Sequence, residues 1–171
     1  MHRARSGGHI PHTGDFQKVL KLQKIYLDEI DKYSDVEGRD KDISWEKIHM
    51  SSCARVGYIL AAKRGLDCDL AAIACAIHDY GRVITGVQKG HAEAGYGPVQ
   101  EFLRKTEMFS EDEIIKIAVA VKNHSKKGEI GGPLEEIVKD ADCLDFDMYG
   151  YELPRQEQKD RLKRLKDEKA L

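Results

Sequence analysis

The residues best suited to hold a metal or move a proton are His49, the adjacent pair His78 and Asp79, His91, His124 and Asp142. Four histidines fall between positions 49 and 124, each on or at the end of an expected helix. Taken singly, each has an ordinary reading as a hydrogen-bonded core or helix-end residue, so the argument rests on the set. His78 and Asp79 close the segment LAAIACAIHDY, which is apolar nearly all round. Desolvating an unpartnered carboxylate there costs several kcal/mol. The negative end of the helix dipole adds about 0.3–1 kcal/mol. Something cationic must compensate: either Arg82, in a His–Asp–Arg cluster, or a divalent metal. His49 shares its helix face with Trp45, Cys53, Val56 and Leu60, which turns its imidazole inward. Asp142 shares a face with Val138 and Phe146 and is the best inward candidate among the nearby acids Asp140, Asp145 and Asp147. Asp145 reads as an exposed helix acid, or else as a group that orients a ligand or carries a proton. Two imidazoles and two carboxylates suit a hard or borderline divalent ion. Such an ion lowers the pKa of water and polarises an electrophile, as hydrolysis requires.

The elements that must position these groups read as helices, with no convincing strand. The first runs from about Asp15 to Tyr33, with Phe16, Val19, Leu20, Leu22, Leu27 and Ile30 as its stripe. Ser44 is the expected N-cap of the second helix, although Lys47 stands where a capping box wants an acid. Gly65 ends it. The third, Asp69 to about Tyr80, is central because it is apolar on every side, and Gly81 terminates it. The fourth spans about His91 to Lys105, with a kink or restart near Gly97 because Pro98 removes a backbone donor. Ser110 and Glu113 form a capping box for the fifth, and Gly131-Gly132-Pro133 opens the sixth. Residues 154–171 are a charged peripheral helix or a frayed end, and residues 1–13, with His2, His9 and His12, a flexible tail.

The bulk numbers fit this picture. A chain of 171 residues with 41% hydrophobic and 34% charged residues suits one domain of amphipathic helices. A net charge of −2 does not advertise a nucleic-acid polymer as partner. Cys53, Cys68, Cys75 and Cys143 lack paired spacing and read as buried, reduced thiols, which points to the cytoplasm. No apolar run approaches the roughly 18 residues of a membrane span.

In order and context these segments resemble the HD superfamily of metal-dependent phosphohydrolases. The likeness rests on IHMSSCARVGYILAAKRG, LAAIACAIHDYGR, GHAEAGYGPVQEFL, IAVAVKNHS and IVKDADCLD, and covers roughly residues 43–150. It implies an all-α HD-domain bundle of six to seven helices, here over residues 14–153. It implies that His49, His78, Asp79 and Asp142 bind one divalent ion. In relatives with two ions the paired Asp bridges them, and His91 and His124 stand where the second site is completed. The ions would be one or two of Mn, Fe, Mg, Zn, Co or Ni. Where the family often continues with Ile-Gly-Lys, this chain has Tyr80-Gly81-Arg82, which keeps the charge and adds a fork suited to phosphate oxygens.

Asp79 and Arg82 are therefore the expected catalytic residues, and Arg82, Lys89 and Lys126 the candidates for holding phosphate. The expected substrate is a small phosphoester or nucleotide-like phosphoanhydride; a homodimer is compatible with the sequence. Other readings remain: a di-iron HD-type oxygenase, a symmetrical dinucleoside-tetraphosphate hydrolase, and a non-catalytic metal- or nucleotide-binding module.

Overall fold

Apolar periodicity and capping chemistry become nine helical segments among the described residues, which are 16–170 of a computed structural model. Seven have ten or more residues: α1 (Phe16–Asp31), α2 (Ile43–Arg64), α3 (Cys68–Ile77), α6 (Tyr96–Thr106), α7 (Glu111–Asn123), α8 (Pro133–Met148) and α9 (Gln156–Asp167). Two short ones, α4 (Tyr80–Thr85) and α5 (His91–Ala94), sit at the breaks. No strand occurs among these residues, so the fold is all-α. No helix is long and apolar enough to cross a membrane. The expected tail at residues 1–13, its histidines and the helix start at Asp15 lie outside the described residues.

α3 is the hub. Cys68 and every residue from Ala71 to Ile77 are buried, and the helix touches α1, α2, α7 and α8. Small side chains make this possible. Gly57 of α2 sits so close to Cys75 that an added Cβ would lie 2.4 Å from its Sγ. The stripe of α1 is Val19, Leu22, Tyr26 and Ile30; Leu20, expected inside, is 41% exposed because it lies a third of a turn off that line. All four cysteines are buried and free.

Several boundaries differ from expectation. Asp42, not Ser44, caps α2, its carboxylate accepting the Trp45 N–H, so the helix starts earlier than the Ser signal suggested. Gly65 closes α2 in the left-handed conformation, as anticipated. The helix after Asp67 does not run through to Tyr80: it ends at His78, and Asp79 takes the N-cap place of α4 without using its side chain as a cap. Gly81 is therefore not a terminator. It lies inside α4, where an added Cβ would meet the His91 carbonyl oxygen at 1.9 Å and the Gly95 nitrogen at 2.7 Å. Its missing side chain lets α4 and the α5–α6 junction touch. The break before Pro98 falls at Gly95, which leaves Pro98 in the first turn of α6, where its missing N–H costs nothing. The Ser110–Glu113 capping box forms as expected. The charged C-terminal stretch is a packed helix: Arg161 and Leu165 of α9 are buried against the body.

Candidate metal centre

The break between α3 and α4 delivers the chemistry. It turns His78 and Asp79 into a space also reached by His49 from α2, His91 from the start of α5, His124 from the end of α7 and Asp142 from α8. His49 Nε2 lies 3.2 Å from His78 Nε2, 3.3 Å from Asp79 Oδ2 and 3.2 Å from Asp142 Oδ1. His78 Nε2 is 3.2 Å from Asp79 Oδ2 and 3.4 Å from Asp142 Oδ1. A second group forms on the other oxygen of Asp79: Oδ1 is 2.9 Å from His91 Nε2 and 3.4 Å from His124 Nε2, and those two nitrogens are 2.9 Å apart. Asp79 thus shares its two oxygens between two clusters.

The imidazoles are held so that Nε2 is the free atom. His78 Nδ1 donates to the Cys75 carbonyl, His91 Nδ1 to the Gln88 carbonyl and His124 Nδ1 to the Val121 carbonyl, each at 2.6 Å. His49 Nδ1 donates to Asp145 Oδ2, also at 2.6 Å. A carbonyl or carboxylate can only accept, so the proton sits on Nδ1 and the Nε2 lone pairs face the carboxylates. Lone pairs and anions this close repel unless a proton or a metal cation lies among them. Metal–ligand bonds of about 2.0–2.2 Å place neighbouring ligand atoms about 2.8–3.6 Å apart, so both donor sets fit divalent ions.

Protons compete for the same places. Burial pulls the His49 and His78 pKa values down. The carboxylates of Asp142, Asp145 and Asp79 around His49, and of Asp79 and Asp142 around His78, outweigh it and hold both well above the ordinary imidazole value. His124 goes the other way: burial, with the His78 and His91 charges, lowers it to about 3 despite its contact with Asp79. Burial alone would raise the Asp79 carboxyl, but Arg82 and then the imidazoles hold it well below the usual range. Cys53 also comes within reach of His49 and His78. Burial, then the Cys75 thiol, pushes its pKa well up, which favours the neutral thiol in the absence of a metal.

The HD domain sequence profile matches residues 47–147. This chain belongs to the HD domain family. No curated protein matches its sequence. Among solved structures, it is similar to a predicted HD superfamily hydrolase from an uncultured Thermotogales bacterium, at 20% identity over 90% of this chain and 94% of that one, with a TM-score of 0.59. That likeness speaks to the fold.

Of the positive side chains that the sequence singled out in this HD domain, Arg82 reaches the clusters and lines the cavity over them. Arg82, expected to hold phosphate, is 2% exposed and already engaged. Its Nε and Nη2 form a fork on Glu46 at 2.8 and 3.0 Å, Nη2 also donates to Asp79 Oδ2 at 2.5 Å, and Nη1 donates to Gln88. It acts on the site through Asp79. Lys89 and Lys126 do not line the cavity over the clusters; Lys127 does, with its ammonium 2.6 Å from Asp142 Oδ2. Asp142 therefore gives one oxygen to the imidazoles and the other to Lys127. Asp145, read as an exposed helix acid or else as a group that orients a ligand or carries a proton, is 1% exposed and orients His49, with Ser52 Oγ donating to the same oxygen at 2.9 Å. Glu46 was missed, although an acid one turn before His49 on its buried face was a visible signal. For Lys127 over Lys126 the sequence held none: the turn after α7 decides. Arg155 and Arg161 clasp that turn, donating to the Ser125 and Lys127 carbonyls.

Proposed function

We propose that this HD domain is a hydrolase that binds two divalent cations and cleaves a small phosphoester or phosphoanhydride with activated water. The observation that carries the reading is the division of the two Asp79 oxygens between two separate imidazole clusters. His49, His78, Asp79 Oδ2 and Asp142 would hold one ion, and His91, His124 and Asp79 Oδ1 the other. Divalent cations so bound would lower the pKa of water and neutralise charge on phosphate oxygens. The protein's own part is preorganisation. Arg82 and Glu46 fix the Asp79 carboxylate, Asp145 fixes the His49 ring, and Lys127 fixes Asp142 while keeping a positive charge at the cavity wall. Burial, the largest single influence on Lys127, weakens its charge, but Asp142 together with Cys143 and Asp79 outweighs it, so the ammonium is retained. The cavity over the clusters is about 490 Å³, which suits a small molecule rather than a polymer.

The test is metal analysis of protein purified without chelator, with phosphate release from a panel of phosphoesters and nucleotides under Mn, Mg, Co and Ni. Two ions per chain and phosphate release are expected, and Asp79→Ala should lose both. Turnover that persists in Asp79→Ala, or two ions with oxygen consumption and no phosphate, would remove the proposal.

A further inference from the structure

Lys41 stands apart from the other cations of the cavity. Of those, Arg82 is tied to Glu46 and Asp79, Lys127 to Asp142, and Arg155 to the Ser125 carbonyl and Glu157. The Lys41 ammonium has no carboxylate partner among the described residues. The acids beside it in sequence are occupied, Asp40 by the Gln88 N–H at 2.6 Å and Asp42 by the Trp45 N–H at 2.7 Å. It rests instead on rings: 4.7 Å from the centroid of Tyr151, 5.5 Å from Trp45 and 5.7 Å from Phe146. The rings pack on one another, with Trp45 4.9 Å from Tyr151, and Trp45 and Phe146 also flank His49. The backbone beneath is held too. Arg39 donates through Nε to the Lys41 carbonyl and, with its other nitrogens, to the Arg82 and Val83 carbonyls. The result is a cation fixed beside the metal centre, on a wall the cavity shares with Tyr151 and Arg155. All three residues lie outside the stretch that matches the HD domain.

Ring faces compensate part of the hydration a lysine loses, but they leave its positive charge uncancelled. An anion meeting it in a partly enclosed cavity is attracted more strongly than in water. We infer that Lys41 on its aromatic platform is a second anion subsite, and that the ligand is a small phosphorylated molecule bearing a second anionic group. The inference rests on the reading above in that the first phosphoryl group sits at the imidazole–carboxylate clusters.

Calorimetric titration of the full chain with ribose 5-phosphate and ribose 1,5-bisphosphate tests it, since the two differ by one phosphate. The wild type should bind the bisphosphate about tenfold or more tightly than the monophosphate, a gap of about 1.4 kcal/mol. Lys41→Met should collapse that preference towards unity, and Lys41→Arg should restore it. The one tryptophan of the chain, Trp45, should report the bisphosphate by a change in emission that the monophosphate does not produce. Equal affinities on the wild type, failure to bind the bisphosphate, or a preference that survives Lys41→Met would each overturn the subsite. Phosphate release is scored separately: an intact preference without turnover counts against hydrolysis and leaves the anion subsite standing.

Discussion

Each site histidine is fixed through its Nδ1, but only His49 leans on a carboxylate rather than a backbone carbonyl. A carboxylate partner both selects the tautomer and raises the basicity of Nε2, and losing such a partner costs metal affinity about 10–100-fold. Asp145→Asn keeps the acceptor oxygen but removes the charge. The expected outcome is a fall in affinity within that range, measured by chelator competition, with the helical content unchanged. Unaltered affinity would mean that Asp145 only fills space. At this scale the sequence was readable for the ligand types and not for their supports. The apolar neighbours of His49 and His78 turned those rings inward, whereas the burial of Asp145 depends on α2 packing across α8. The contact of Arg82 with Asp79 was legible from their spacing, but its fork is taken up by Glu46, 36 positions earlier in the chain, which the sequence did not show.

At the scale of elements, the second cluster depends on a contact between backbones. Gly81 and Gly95 let α4 approach the α5–α6 junction, and His91 opens α5. Gly81→Ala places a methyl group against the His91 carbonyl, so α5 must move. Overpacking of this kind costs about 1–3 kcal/mol. The variant should fold with a lower Tm and bind one ion per chain instead of two, retaining the ion at His49, His78 and Asp142; metal analysis after desalting reads this directly. Two ions in Gly81→Ala would show that the close approach is not what positions His91. The helices themselves were legible, because capping residues and period-3.6 patterns are local. The break at Asp79 was not, since an apolar run gives no sign of where a helix must stop so that a carboxylate can face two clusters.

For the whole molecule, the clusters join α2, the α3–α4 break, α5, α7 and α8, so a cation there ties together elements far apart in the chain. A ligand at a hundred times its Kd stabilises the native state by about 2.7 kcal/mol. At roughly 2–4 °C per kcal/mol for a chain of this size, that is an increase in Tm of about 5–11 °C, reversed by chelator. The gain should shrink as pH falls. In chelated protein, His49 and His78 have raised pKa values, so their imidazolium–carboxylate contacts stabilise fully below the unfolded value of about 6.5 and are lost as pH rises through the raised values. Metal stabilisation runs the opposite way, because the ion must displace those protons. A Tm increment that stays constant from acid to alkaline pH would contradict this account of the clusters. The sequence by itself determined the helical class, the central place of the Ala-rich helix and the inward turn of His49 and His78, because burial and capping act over a few residues. It did not determine which acids are buried: Glu46, Asp140 and Asp145 lie deeper than Asp142. Only the tertiary structure decided that Asp79 divides its oxygens, that Arg82 is spent on Glu46, and that Lys127, Lys41 and Arg155 join Arg82 in lining the cavity. Those facts depend on how helices distant in sequence approach one another, and side-chain periodicity carries no information about that.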